Sequence, residues 1–133
     1  MKTETMTKKF FVRAAVMLVT MLTTTTAGAQ GTETEGDWHY SYDSGTNILT
    51  IDHYVGTDAS VTTPTMLGGH AVTAIGNGCF NSINPHTYLT SVTISEGITT
   101  IGQGAFDGCS NLASVSLPNS LVSIIAYAFS GCI

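Results

Sequence analysis

One pattern of apolar positions occurs twice in the second half of the chain. The stretch SVTISEGITTIGQGAFDGC covers Ser91 to Cys109, and SVSLPNSLVSIIAYAFSGC covers Ser114 to Cys132. Each apolar position recurs after the same interval, the one that separates Leu89 from Leu112. Leu89, Val92, Ile94, Ile98, Ile101, Ala105, Phe106 and Cys109 recur as Leu112, Val115, Leu117, Leu121, Ile124, Ala128, Phe129 and Cys132. A fixed period of this length predicts a solenoid, because one unit buries its apolar side only against its neighbours.

A weaker copy precedes these two. Ile75, Gly76, Cys79 and Phe80 match the end of the pattern, with Ile83 where later units have Cys. The interval from this copy to the next is slightly longer, and the extra residues fall in a polar loop, NPHTY, at residues 84–88. Earlier still, VTTP at 61–64 matches VSLP at 115–118, and a Gly-Gly insertion follows it. Residues 61–133 therefore predict about three units, the last of them incomplete.

Each unit predicts a short strand and a return. Val115 and Leu117 have the spacing of inward-facing strand residues, and the turn sequence PNS follows them. Leu121 and Ile124 are expected to point back into the interior, and AYAF at 126–129 to make a return of one turn, helical or not. The fold class predicted is a solenoid of short parallel β-strands coiled into a right-handed superhelix.

The region before the repeats has a different pattern. Trp38, Tyr40 and Tyr42 alternate with polar residues, turn residues follow at 44–47, and ILTID resumes an extended run. This pattern predicts a β-hairpin within residues 37–60 whose aromatic face caps the first unit, because terminal units of a solenoid need an atypical cover. Residues 30–36, QGTETEG, are expected to be a disordered lead.

Residues 1–29 have the order of features that defines a secretory signal peptide. Positive residues occur up to Arg13, an apolar run covers Ala14 to Leu22, and Ala27 and Ala29 form an A-x-A cleavage pattern. The apolar run is too short to span a membrane, so we expect secretion without membrane insertion after cleavage.

Cleavage after Ala29 would remove every basic residue. Lys2, Lys8, Lys9 and Arg13 are the only Lys and Arg of the chain, whereas eight carboxylates and four histidines follow position 29. Nucleic-acid binding needs cationic groups to neutralise phosphates, so the composition argues against it. Attraction to anionic lipid and Schiff-base chemistry are disfavoured for the same reason.

The stretch LTSVTISEGITTIGQGAFDGCSNLASVSLP resembles the BspA-like leucine-rich repeat family, whose repeat reads approximately L-x-x-I-x-I-P-x-x-V-x-x-I-G-x-x-A-F-x-x-C. The match extends from Val72 to Cys132. The chain departs from it with Ser95 and Glu96 where Pro is usual, Cys79 for Ala, and Ile125 for Gly. The resemblance implies a secreted or surface-attached binding module used in adhesion to host proteins or other cells, without enzymatic activity or a cofactor.

Catalytic chemistry has little support in the sequence. No G-x-S-x-G motif is present. Cys109 and Cys132 share one repeat position and are expected to be buried thiols, as is Cys79. Asp37, His39, Asp52 and His53 lie on the predicted hairpin strands, and their side chains offer ligands for a transition metal. A small metal-binding or hydrolytic protein is therefore an alternative, although solvated strand residues explain the same pattern.

The outward positions of the repeat strands form the candidate binding site. These positions are Ser91, Thr93, Ser114 and Ser116, which would lie on the concave face and bind an extracellular protein or glycan through hydrogen bonds. A soluble face without a partner is equally compatible with them. The chain stops at Ile133, where another strand would begin, so a spacer fragment of a longer surface protein and self-association through this uncapped edge are both alternatives.

Overall fold

The computed structural model describes residues 31–81 and 88–133, and in these ranges the regular elements are β-strands. The predicted signal peptide and most of the polar loop lie outside the described residues. The strands are β1 (Glu33–Glu35), β2 (Trp38–Asp43), β3 (Ile48–Tyr54), β4 (Ser60–Thr62), β5 (Met66–Leu67), β6 (His70–Ala71), β7 (Ala74–Ile75), β8 (Ser91–Thr93), β9 (Thr100–Ile101), β10 (Ser114–Ser116) and β11 (Ser123–Ile124). No helix in these ranges is long and apolar enough to cross a membrane.

Two sheets enclose the core. The six-stranded sheet has the order β1-β2-β3-β7-β9-β11, and the three-stranded sheet has the order β10-β8-β4. Each repeat unit, which we call a rung, gives one strand to each sheet: β4 and β7 in the first rung, β8 and β9 in the second, β10 and β11 in the third. The pair β5 and β6 is antiparallel and flanks the Gly-Gly insertion of the first rung.

The register of the sheets follows the sequence period. In the three-stranded sheet Val61, Val92 and Val115 are aligned across parallel strands. In the six-stranded sheet Ile75, Ile101 and Ile124 are aligned in the same way. The predicted short parallel strands are therefore confirmed, and the returns between them in the described residues are hydrogen-bonded turns rather than helices.

A column of phenylalanines lies in the interior. The rings of Phe80 and Phe106 stack with centroids 4.6 Å apart, and those of Phe106 and Phe129 with centroids 5.1 Å apart. Tyr54 and Trp38 extend the column beyond Phe80, with centroid distances to it of 5.4 Å and 6.2 Å. The repeated apolar positions therefore become contacts between adjacent rungs.

The hairpin strands β2 and β3 pair antiparallel, and β3 continues into the parallel part of the sheet by pairing with β7. The residues between the strands include Asn47, whose φ of +58° is one that Asn adopts more readily than most residues. Tyr40, Leu49 and Ile51 are buried, which follows from the alternation seen in the sequence.

Residues 33–35 differ from the expected disordered lead, because they form β1 and pair with β2. Two side-chain contacts hold this polar strand in place. The Tyr40 hydroxyl donates to the Glu33 carboxylate over 3.0 Å, and the Gly68 amide donates to the Glu35 carboxylate over 2.8 Å. The sequence of β1 has no apolar residue, so only these contacts and the backbone pairing distinguish it from a flexible lead.

The third rung departs from the expected burial. Leu117 and Ile124 were expected to face the interior, but their side chains are 48 % and 47 % exposed. The equivalent Ile94 and Ile101 of the second rung are buried, because a rung packs on each side of them. In the described chain the third rung packs against the second on one side only.

Candidate functional site

The outward side chains of the three-stranded sheet form a surface that we call the hydroxyl face: Ser60, Thr62, Ser91, Thr93, Ser114 and Ser116. Strand geometry places them there, because the middle residue of each strand points into the core and its two neighbours point outward. The register aligns Ser60, Ser91 and Ser114 in one row and Thr62, Thr93 and Ser116 in the other. The structure thus brings all four predicted site residues together.

The hydroxyl face is uncharged and is partly ordered by its own hydrogen bonds. The Ser91 hydroxyl donates to the Ser60 hydroxyl over 2.7 Å, and beside it the Thr90 hydroxyl donates to the Ala59 carbonyl over 2.8 Å. Ser91 is half-buried, and the other five side chains are exposed. A Ser or Thr hydroxyl both donates and accepts, so this surface can meet either kind of polar group on a partner.

Ser60 and Thr62 were missed by the sequence analysis. The match between VTTP and VSLP is the sequence signal for this strand, and Ser60 and Thr62 are the residues on either side of Val61. The interval from Val61 to Val92 is longer than that from Val92 to Val115, because the Gly-Gly insertion and the polar loop lie within it. In the structure, the register of Val61 with Val92 places Ser60 beside Ser91 and Thr62 beside Thr93.

A buried contact anchors the end of the hydroxyl face. Thr63 is buried, and its hydroxyl accepts a hydrogen bond from the Ser95 amide over 2.9 Å. The Ser95 hydroxyl in turn donates to the Thr63 carbonyl. These hydrogen bonds join the chain segments that follow β4 and β8, so the two segments are held side by side where the strands end.

A groove of about 880 Å³ lies along the six-stranded sheet. Asp43, Asp52, His53, Thr50 and Thr100 are among the residues that line it. Burial raises the pKa of the Asp52 carboxyl, against a hydrogen bond of 3.2 Å from the Ser41 hydroxyl that lowers it. The Gly45 amide donates to Asp43 over 2.8 Å and lowers the pKa of that carboxyl.

The four hairpin residues considered as metal ligands are only partly brought together. His39 is paired with His53 across β2 and β3, and Asp52 is the residue before His53. Asp37 precedes β2, and its carbonyl accepts the Val55 amide over 2.9 Å. In residues 31–81 and 88–133 no group of three or more His, Cys, Asp or Glu side chains is arranged to hold a metal ion.

The cysteines are unpaired thiols. Cys79 and Cys109 are buried as predicted, whereas Cys132 in the third rung is half-buried. Burial raises the pKa of the Cys109 thiol to about 12 and also raises the pKa of Cys79 and of Cys132. Because the thiolate is the nucleophilic form, these shifts disfavour nucleophilic chemistry at all three.

A second, smaller groove of about 520 Å³ lies along the turns that close the rungs. We call it the turn groove. Its lining includes Asn77, Asn81, Gln103, Asp107, Tyr127 and Ser130. The Asn77 side-chain oxygen accepts a hydrogen bond of 2.8 Å from the Gln103 backbone amide, and the Asn81 side-chain amide donates to the Asp107 carboxylate over 3.4 Å.

Residues 73–133 match the sequence profile described as "BspA type Leucine rich repeat region (6 copies)". No curated protein sequence matches the chain.

Solved structures with a similar fold are bacterial leucine-rich repeat proteins. A leucine-rich repeat protein of T. pallidum is 29 % identical with a TM-score of 0.66, over 72 % of this chain and 44 % of that one. A leucine-rich cell surface protein of Faecalibacterium prausnitzii is 28 % identical with a TM-score of 0.65, over 80 % of this chain and 30 % of that one. A leucine-rich repeat protein of Bacteroides capillosus is 25 % identical with a TM-score of 0.64, over 74 % of this chain and 73 % of that one. The chain thus spans less than half the length of the first two.

Proposed function

We propose, from the membership of residues 73–133 in the BspA-type leucine-rich repeat family, that this chain is a non-enzymatic module that binds an extracellular protein through its hydroxyl face. The observation that carries the proposal is the alignment of the six outward hydroxyl side chains in two rows of three. Strands stacked in this way give solenoid proteins an extended binding surface.

The chemistry of the hydroxyl face supports a protein partner. Exposed hydroxyl groups can donate to backbone carbonyls and accept from backbone amides, so they suit a polypeptide surface. No charged residue belongs to the face, and every Lys and Arg of the chain lies at or before residue 13. Recognition would therefore depend on shape and hydrogen bonding rather than on electrostatic steering.

An extracellular location is part of the proposal. The leader pattern of residues 1–29 supports secretion, and the F. prausnitzii protein of similar fold is described as a cell surface protein. We infer that the partner is a host matrix protein or a molecule on another cell, and that the module acts in adhesion.

The architecture supports two finer inferences. Trp38 and Tyr54 lie over the end of the phenylalanine column, with ring centroids 4.6 Å apart, so we infer that the hairpin caps the repeats. The parallel strands of successive rungs are joined by crossovers, and such connections are right-handed in nearly all proteins. A right-handed superhelix is therefore the coil that we propose.

Self-association is a further part of the proposed behaviour. Leu117, Val122 and Ile124 are exposed on the third rung, whose strands β10 and β11 are the last in their sheets. An exposed apolar surface next to a strand edge favours pairing with another chain. We infer that a second copy covers this edge.

Binding to immobilised matrix proteins and to epithelial cells tests the function. The full chain should bind saturably, and Thr93→Arg or Ser116→Arg should weaken binding at least tenfold by placing a long charged side chain on the hydroxyl face. Ser44→Arg is the matched control, because Ser44 is exposed in the hairpin turn and lies outside the face. Absence of binding by a folded sample would favour a structural spacer instead.

A further inference from the structure

Tyr127 has a backbone conformation that tyrosine rarely adopts. Its φ is +62°, and the residues at the same position of the two preceding rungs are Gly78 and Gly104, with φ of +61° and +59°. Glycine is the usual residue for this conformation because it has no Cβ to clash with the backbone. The third rung therefore has a bulky side chain at a turn position where the backbone conformation favours glycine.

Packing does not compensate for this strain. The Tyr127 side chain is 72 % exposed, so it contributes little apolar burial to the fold. Strained residues that folding does not require occur often at ligand-binding sites. The conformation of Tyr127 thus points to a role for the ring outside the core.

Tyr127 borders the turn groove, which is an open surface groove of about 520 Å³. One wall of the groove is held by hydrogen bonds between the first and second rungs. The Gln103 backbone amide donates to the Asn77 side-chain oxygen, and the Asp107 carboxylate accepts from the Asn81 side chain, so the first and second rungs are cross-linked along the groove. A preordered wall lowers the entropic cost of binding.

The functional groups of the turn groove suit one class of ligand. Side-chain amides of Asn and Gln both donate and accept, as sugar hydroxyls do, and an exposed tyrosine ring offers a flat apolar surface to a pyranose ring. Phosphorylated or sulfated ligands are disfavoured, because no Lys or Arg occurs after residue 13. An apolar peptide is disfavoured because it would leave the amides without partners.

We propose that the turn groove is a binding site for a neutral saccharide. The sugar ring stacks on Tyr127, and its hydroxyls form hydrogen bonds with Gln103, Asn81 and Asp107. This site shares no residue with the hydroxyl face, so the inference is independent of the protein-binding function. The module would then carry two binding surfaces, one for a polypeptide and one for a glycan.

The test uses the full chain on an array of neutral oligosaccharides, followed by calorimetric titration of the best-bound disaccharide or trisaccharide. Tyr127→Gly is the informative variant, since it restores the residue of the other rungs and should not impair folding. We expect it to weaken binding by about tenfold or more, the loss of one ring contact. Tyr127→Phe keeps the ring and should bind within about threefold of the natural chain.

The control is Ser116→Arg, which alters the hydroxyl face and should leave saccharide affinity unchanged. If Ser116→Arg abolishes both kinds of binding, the turn groove is not a separate site and the proposal fails. It also fails if no neutral saccharide binds, if Tyr127→Gly binds as well as the natural chain, or if the groove selects peptides on a parallel peptide array. Loss of saccharide binding in Tyr127→Gly with matrix-protein binding retained would support it.

Discussion

The rings of Phe80 and Phe106 are stacked with their planes 16° apart, although they belong to different rungs. Phe106 and Phe129 repeat the arrangement with planes 1° apart, over a shorter interval of chain. The difference in length is absorbed between the first and second rungs, outside the stacked rings. The stacking of equivalent side chains is therefore the same between successive rungs, although the number of residues between the stacked rings differs.

Removing the central ring of the column should cause a large loss of stability. Phe106 is fully buried between two other rings, so Phe106→Ala should lower the free energy of unfolding by about 3–5 kcal/mol. Phe129→Ala is the matched control, and its half-buried ring should cost less. Urea unfolding of the variants measures both, and equal losses would contradict the column as the main source of contact between rungs.

Relief of backbone strain at Tyr127 should stabilise the protein. The left-handed conformation costs a non-glycine residue about 1–2 kcal/mol, of which the greater flexibility of glycine in the unfolded chain cancels part. Tyr127→Gly should therefore raise the free energy of unfolding by about 0.5–1 kcal/mol. Tyr127→Ala keeps a Cβ and should give no such gain. A destabilised Tyr127→Gly would show that the tyrosine side chain supports the fold.

Stability should fall at alkaline pH. Burial raises the folded-state pKa of Cys109 to about 12 and also raises that of Cys79, and it raises the pKa of Tyr54 to about 12. The unfolded chain releases these protons first, near pH ~8.5 for thiols and ~10 for tyrosine. The contribution of these groups to the free energy of unfolding is therefore fully present below about pH 8.5, and it decreases as the pH rises toward 12.

The variant Cys79→Ala tests the thiol contribution. Alanine is the residue at the same position of the next two rungs, Ala105 and Ala128, so the fold should accept it. Urea unfolding between pH ~8.5 and ~10 isolates the thiols from the tyrosines. The variant should lose less stability across this window than the natural chain, and identical pH profiles would contradict the assignment.

The proposed association through the third rung should depend on its exposed apolar side chains. Ile124→Lys places a charge beside the edge strand and should abolish concentration-dependent dimerisation in sedimentation velocity. Ile48→Lys is the matched control, because Ile48 is 45 % exposed but lies on the hairpin strand β3. If both variants associate like the natural chain, the interface lies elsewhere.

The sequence predicted the repeat period, the parallel strands and four of the six residues of the hydroxyl face. The period carries this information because equivalent apolar residues must align for the rungs to pack. The period did not reveal β1, which has no apolar residue and is held by hydrogen bonds from Tyr40 to Glu33 and from the distant Gly68 to Glu35. The exposure of Leu117 was also unexpected, because burial depends on a neighbouring rung rather than on the residue itself.

The strain at Tyr127 could have been read from the sequence. Gly78 and Gly104 occupy the same repeat position as Tyr127. A position that is glycine in the other rungs indicates a positive φ, which a tyrosine at that position then has to adopt. The turn groove itself could not be predicted, because Asn77 and Gln103 meet only after the rungs stack. A residue that departs from the repeat thus identifies a candidate site in the sequence, whereas the shape of that site depends on how the rungs pack.

The most direct test of the central claim is equilibrium binding of three chains to one immobilised matrix protein that the natural chain binds. The chains are the natural sequence, Thr62→Arg and Ser44→Arg. Thr62 belongs to the hydroxyl face only through the register of β4 with β8, so its effect tests the surface that the structure defines. We expect Thr62→Arg to bind at least tenfold more weakly and Ser44→Arg to bind like the natural chain. Unchanged binding by Thr62→Arg, or an equal loss in both variants, would contradict a binding site on the hydroxyl face.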